Sequence, residues 1–245
     1  MLGRILVLAD AAHSVGATYK GRKTGTLCDI SVYSFHAVKN LTTAEGGAVC
    51  LNLPEPFDNE EVYKYLCVKS LHGQTKDALA KAQAGNWQYD VIEAGYKYNM
   101  TDVQAAMGIV ELGRYDDDML VRRKEIFDLY RKGFEKEDWA IIPPYASPIK
   151  TSSYHVFLLR IKDANEEKRN RIMARIFEKE VSVNVHFIPL PMLSLYRGLG
   201  YDIADYPGSY KNYSQVISLP VYYTLSNENV QTVIDAVTAA VEETI

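Results

Sequence analysis

Residues Ile5-Leu6-Val7-Leu8-Ala9 form an unbroken apolar run that stops at Asp10. A half-buried strand alternates apolar and polar positions, so a continuous run predicts a strand covered on both faces, as in a parallel sheet lying between helices. That requirement points to a layered α/β architecture and leaves few others. Such a strand also needs neighbours on its edges, yet it begins almost at Met1. Part of the fold is therefore expected upstream of this sequence.

Ile30-Ser31-Val32-Tyr33-Ser34-Phe35 predicts a second strand and Gly47-Ala48-Val49-Cys50-Leu51 a third, separated by a polar stretch and the Gly46-Gly47 turn. Helix is expected from residue 60 onward. Thr101-Asp102-Val103-Gln104 has the form of a capping box, and Val103, Ala106, Met107 and Val110 follow at helical spacing. Residues 74 to 95 read as a polar, irregular loop longer than usual connections, a length that often marks function. A long helix is predicted from 117 to 136, with Leu120, Phe127, Tyr130 and Phe134 on one stripe.

Pro143-Pro144 forbids both helix and central strand, which predicts a boundary between a large domain, 1–142, and a small α+β domain, 143–245. In the small domain the pattern predicts a strand from His155 to Ile161, a helix from 165 to 180 and a strand from Val181 to Phe187. A Tyr-rich loop follows. A closing helix starts at the cap Ser226 and turns Val230, Val233, Ile234, Val237 and Val241 inward.

Composition excludes several classes. The 245 residues carry 27 Lys and Arg against 31 Asp and Glu, a net charge of −4, which argues against nucleic acid as the main partner. The basic residues Lys20, Arg22 and Lys23 read as a solvated turn. No apolar stretch is long enough to span a membrane and no signal-peptide pattern opens the chain, so a cytoplasmic protein with no membrane partner is expected. Cys28, Cys50 and Cys67 form no C-x-x-C pair, and the five histidines lack the i, i+4 spacing of a helical metal site. No metal centre is expected.

Asp10, Ser34 and Lys39 stand at or just past the ends of predicted strands. In open α/β sheets ligands bind outside the carboxyl ends of the strands. A carboxylate, a hydroxyl and an amine together there suit pyridoxal phosphate, which needs an acid at its pyridine nitrogen, donors for its phosphate and an amine for its Schiff base. The acid keeps the ring nitrogen protonated and the ring an electron sink, and a lysine placed among apolar neighbours, as Lys39 is between Val38 and Leu41, is more readily a free amine. The spacing alone leaves Asp10 open as a helix cap and Lys39 open as a surface lysine. His36, His155 and His186 are likewise open between packing and pocket roles.

Four stretches carry a resemblance: Asp10-Ala11-Ala12-His13-Ser14-Val15-Gly16-Ala17, Ser34-Phe35-His36-Ala37-Val38-Lys39-Asn40, Glu45-Gly46-Gly47-Ala48-Val49 and Gly95-Tyr96-Lys97-Tyr98-Asn99-Met100-Thr101-Asp102. With Tyr154-His155-Val156-Phe157, Val185-His186-Phe187 and Ser218-Leu219-Pro220, they resemble the DegT/StrS family of nucleotide-sugar aminotransferases over essentially the whole chain. The wording is most similar to the branch that makes UDP-4-amino-4-deoxy-L-arabinose and other 4-amino sugars. The resemblance implies a fold type I α/β/α large domain with pyridoxal phosphate as cofactor, followed by the small α+β domain. It implies that Lys39 holds the cofactor as a Schiff base and shuttles protons, that Asp10 pairs with the pyridine nitrogen, that Ala12 packs on the ring and that His13 reaches the ring hydroxyl. Ser34 would bind the phosphate. At the positions of Lys97 and Asn99 many relatives have an asparagine that reaches the partner subunit's phosphate and an arginine; both differ here, and Asn99 is the candidate cofactor contact of that segment. A dehydratase branch has histidine in place of the lysine, and Lys39 argues against it.

The implied reaction is ping-pong transfer of an amino group from an amino acid, glutamate by expectation, to a nucleotide-linked keto-sugar in polysaccharide biosynthesis, by a homodimer. Relatives also have a long N-terminal segment, absent from this sequence, that supplies further strands, a phosphate loop and a residue over the outer ring face. A catalytically incomplete fragment or interaction module is thus the alternative.

Overall fold

The computed structural model describes residues 3–76 and 83–244. They belong to two compact units, Met1–Tyr115 and Asp116–Ile245.

In the first unit, β1 (Leu8–Asp10) pairs in parallel with β4 (Ile30–Ser34), and β4 pairs antiparallel with β5 (Gly47–Leu51), so β4 is central. The β1 to β4 register sets Asp10 opposite Val32, which leaves both strands pointing the same way at their carboxyl ends. Between β1 and β4, β2 (Thr18–Tyr19) and β3 (Arg22–Lys23) form a hairpin over Lys20-Gly21. Both turn residues have positive φ, 49° and 75°, the conformation that two-residue hairpins with the right twist require. Lys20, Arg22 and Lys23 are exposed on it, as the solvated turn predicts.

Helix α1 (Asn59–Ser70) is capped by the carboxylate of Asp58, which accepts from the amides of Glu60 and Glu61. Helix α2 (Asp102–Arg114) has the predicted capping box between Thr101 and Gln104. The predicted loop at 74–95 falls partly on residues 77–82, outside the described residues. In the described part, Gln74 bridges to Val91 and the amide of Thr75 donates to the Asp90 carbonyl.

The first strand departs from expectation. Only Leu8–Asp10 joins the sheet, and Ile5 and Leu8 are 86% and 64% exposed rather than covered on both faces. The backbone before it is committed elsewhere: the amide of Val7 donates to the Asp29 carboxylate, and its carbonyl accepts from Asp29 and Ile30. The apolar side of α2 is equally bare, with Val103 and Ile109 both 73% exposed and no residue of the helix buried.

Asp29 is itself a pH-sensitive fastening. The Arg4 guanidinium (2.7 Å) and the Val7 amide (2.8 Å) hold its carboxyl down at about 2. A folded value below the unfolded one of roughly 3.9 makes this contact fully stabilising above that pH and lost as pH falls through the folded value. A carbon-detected titration is expected to give Asp29 a midpoint near 2, and Arg4→Gln to move it upward. An unchanged midpoint in the variant would remove Arg4 as the cause.

A π turn, Tyr115–Met119, spans the start of the second unit. The unit contains α3 (Leu120–Phe134), β6 (Ala140–Ile141), a hairpin of β7 (Ala146–Ser147) and β8 (Lys150–Thr151), β9 (Phe157–Ile161) and α4 (Glu166–Glu178). Then come α5 (Ser194–Gly198), α6 (Pro207–Gln215), β10 (Val216–Leu219) and α7 (Asn227–Glu242). The antiparallel sheet has the order β10-β9-β6. Along β9, Phe157, Leu159 and Ile161 are buried while Leu158 and Arg160 are half-buried on the other face. The buried set joins Phe127, Tyr130 and Phe134 of α3 and Ile172 and Ile176 of α4 in one core. The closing helix has its cap at Ser226, and Val230, Val233, Ile234, Val237 and Val241 are buried as expected.

Two buried arginines hold this core to the backbone around it. Arg169 donates to the carbonyls of Tyr213 and Val216, and Arg123 to those of Tyr154, His155 and Val221. A strand over Val181–Phe187 does not form. Asn184 makes one bridge to Ser218, after which the Asn184 side-chain oxygen accepts from the Val185 amide, diverting the donor a ladder would need. The division between units also falls at Tyr115/Asp116, ahead of the Pro143-Pro144 break. The reason is packing: α3 places its aromatic stripe in the second unit's core, so it belongs there although it precedes the prolines.

Candidate active site

Because β1 and β4 run in parallel, Asp10 and Ser34 lie at the same edge of the sheet, each as the last residue of its strand. Beyond Asp10 the chain turns at once. Asp10 Oδ1 accepts from the Ala12 amide at 3.1 Å and the Ser14 amide donates to the Ala11 carbonyl, which presents His13 on the turn. Beyond Ser34 the chain enters the loop 35–46, and Ser34 Oγ accepts from the His36 amide at 3.4 Å.

That loop carries Lys39. Its amide donates to the His36 carbonyl, and its side-chain nitrogen lies 2.6 Å from His13 Nε2. A contact this short needs one N–H and one lone pair, so the amine and the imidazole share a single proton position. Lys39 is half-buried, while Asp10 and His13 are exposed on the edge.

The residues around Lys39 fix it from the backbone side. Asn40 and Leu41 are buried, and Thr43 is wholly so. Asn40 Nδ2 donates to the Tyr115 hydroxyl at 3.2 Å, and that hydroxyl donates to the Val15 carbonyl at 2.7 Å. The lysine loop is thereby tied to the segment that follows His13. At the loop's far end Thr43 Oγ1 donates to the Glu45 carbonyl and Gln104 reaches the same oxygen. Gly46 and Gly47 are required by close approach: a Cβ at Gly46 would overlap the Thr43 hydroxyl, and one at Gly47 would lie 2.6 Å from the Tyr33 carbonyl.

Asp10, Ala12, His13, Ser34 and Lys39 thus gather on one sheet edge. Asn99 does not join them by any hydrogen bond. It is exposed ahead of α2, and its amide donates to the neighbouring Met100 carbonyl at 3.4 Å. Lys97 is exposed too, its backbone bridged to Leu71. His36 faces Glu45 at 3.6 Å on the surface. The Asn40–Tyr115–Val15 link had no signal in the sequence, since its members are far apart along the chain and none is of a type that announces a clamp. Among the described residues no cluster of His, Cys, Asp and Glu could hold a metal, and no helix is long and apolar enough to cross a membrane.

Against this geometry, the profile of the DegT/DnrJ/EryC1/StrS aminotransferase family matches residues 3–238. The chain belongs to that family. The spore coat polysaccharide biosynthesis protein SpsC of Bacillus subtilis is 38% identical over 237 residues, 95% of this chain and 59% of its own length. A UDP-4-amino-4,6-dideoxy-N-acetyl-beta-L-altrosamine transaminase of Campylobacter jejuni is 31% identical over 98% of this chain and 59% of its own. The solved structure of Spr1654 from Streptococcus pneumoniae in its PMP form superimposes with a TM-score of 0.91 at 41% identity, covering 99% of this chain and 60% of that one. The same protein in its PLP form gives 0.90. The chain therefore spans about three-fifths of the length of the curated relatives it matches. The expected α/β fold of the pyridoxal-phosphate aminotransferases is borne out.

Proposed function

We propose that this family member binds pyridoxal phosphate at the β1/β4 edge and, as a cytoplasmic homodimer, transfers an amino group from an amino acid to a nucleotide-linked keto-sugar. Glutamate is the proposed donor and a 4-keto-sugar the acceptor, for amino-sugar and cell-surface polysaccharide biosynthesis. The observation that carries the reading is the pairing of Lys39 Nζ with His13 Nε2 at 2.6 Å beyond the carboxyl ends of two parallel strands, with Asp10 closing the adjacent one. The donor set fits the cofactor: one amine for covalent attachment, one carboxylate for a ring nitrogen, one imidazole and one hydroxyl.

When bound, pyridoxal phosphate supplies an electron sink for the bond that breaks at the amine-bearing carbon. Lys39 would be the attachment point, and its amine, when free, would accept or return a proton at the substrate carbon. His13 receives or returns a proton at Lys39 Nζ and orients it. Asp10 would face the ring nitrogen, Ala12 would offer a small surface to the ring, Ser34 Oγ would donate to the phosphate, and Asn99, exposed ahead of α2, would contact the cofactor from its own segment. The transaminase activity named for the Campylobacter relative and the PLP and PMP forms of Spr1654 support the assignment.

A specific observation favours a second reading. With Ile5, Leu8, Val103 and Ile109 exposed, the first unit offers an apolar surface that another polypeptide would cover, and the chain would then be a catalytically incomplete module without it.

Incubation with pyridoxal phosphate, borohydride reduction and peptide mapping test the site. The pyridoxyl label is expected on Lys39. Label confined to Lys20 or Lys132 would overturn the assignment.

A further inference from the structure

The second unit contains a cavity of about 720 Å³ on the face of its sheet opposite the core. Its size is that of pockets that take small organic ligands. Ile141, Leu158, Phe187 and Leu190 give it apolar walls. Phe187 and Leu190 are 66% and 54% exposed, so the apolar surface is open to a ligand rather than consumed by packing.

Its charge is one-sided. The protein has 31 acidic residues and is acidic overall, yet none of them lines this cavity. The formal cation on its wall is Arg160, on the half-buried face of β9. Among the described residues no carboxylate lies within ion-pair distance of Arg160. Its partner is the neutral side-chain oxygen of Asn212, which accepts from Nη1 at 2.6 Å. Asn212 also lines the cavity and, being neutral, leaves the guanidinium charge in place. Arg123 and Arg169 of the same unit direct Nη1 to backbone carbonyls inside the core. Arg160 retains its second terminal nitrogen and its full charge on the wall of an apolar chamber. A guanidinium so placed selects a planar or tetrahedral anionic head.

We propose that this cavity binds a small organic anion whose apolar body lies against Leu158 and Phe187 and whose anionic head meets Arg160. The complementary charge decides the class: a neutral apolar ligand would leave the arginine desolvated and unpaired, and a cation would be repelled by it. The proposal is independent of whether Lys39 holds a cofactor.

The test uses the full chain with methyl-labelled isoleucines and three probes, 2-naphthyl phosphate, 2-naphthoate and uncharged 2-methoxynaphthalene. Saturable shifts at Ile141, Ile142 and Ile188, all of which line the cavity, are expected with the anions, at affinities at least about tenfold above the neutral probe. Arg160→Gln is expected to cost about tenfold with the anions and nothing with the neutral probe. Should Arg160→Gln not fold, Asn212→Ala keeps the charge, loses its orienting acceptor and is expected to weaken the anions by a smaller factor. Preference between phosphate and carboxylate identifies the head. Equal binding of all three probes, unchanged affinity in the folded variants or shifts confined to Ile30 and Ile109 would overturn the proposal. So would shifts that grow with protein concentration alone, which would make a second copy of the chain the occupant.

Discussion

Asp10→Asn is expected to slow glutamate-dependent amination of a UDP-4-keto-sugar by about a hundredfold to a thousandfold, the scale on which one preorganised electrostatic contact acts. The melting temperature should barely move. In the structure Asp10 makes one side-chain hydrogen bond, from the Ala12 amide to Oδ1, and an asparagine oxygen accepts that bond equally well. What asparagine cannot supply is the negative charge that would keep a pyridine nitrogen protonated, and that charge matters most in the transition state. The assay is run on the chain with whatever polypeptide its activity requires, alongside a thermal melt. Loss of rate matched by loss of stability would make Asp10 a structural cap, the plainer reading of an acid at a strand end.

The second large effect is on stability. Phe157 is fully buried, with ring centroids 5.1 Å from Phe127 and 5.0 Å from Tyr130. Phe157→Ala removes the ring from a close-packed aromatic cluster and is expected to cost about 3–5 kcal/mol. For a protein of this size that corresponds to a fall in Tm of roughly 10 °C. Trp139, half-buried against Phe134 of the same core, reports it once the other tryptophan is removed as Trp87→Phe. A shift of only a degree or two would mean that the cluster refills the space.

What could be read from the sequence divides along a physical line. The strand Gly47–Leu51, the Thr101 capping box and the inward valines of the closing helix are set by residues within a few positions of one another, and all are found where expected. Burial of Ile5-Leu6-Val7-Leu8-Ala9 is not local. Apolar character shows that a strand can be covered, but covering takes partners that the described residues do not provide. The prolines at 143–144 mark a break in the chain, whereas the division between units follows the aromatic face of α3. At the candidate site, Asp10 and Ser34 stand at strand ends as the pattern predicts, and Lys39 follows in the loop 35–46. His13 followed from resemblance, and its contact with Lys39 needed coordinates. The buried Arg169 was within reach of the pattern, since it shares the apolar stripe of α4 with Ile172 and Ile176 at i, i+3 and i+7.

The hydrogen-bond chain from Asn40 through Tyr115 to the Val15 carbonyl bears on how such a site can change. It grips the residue next to Lys39, and the lysine side chain contributes no bond to that grip. The position works as a socket: a different side chain can be fitted at residue 39 with the loop held in place. Under the proposed function, the chemistry at this edge would therefore change with the side chain at residue 39, whereas the loop's course depends on Asn40 and Tyr115, at which a single change would disturb whichever reaction the socket served.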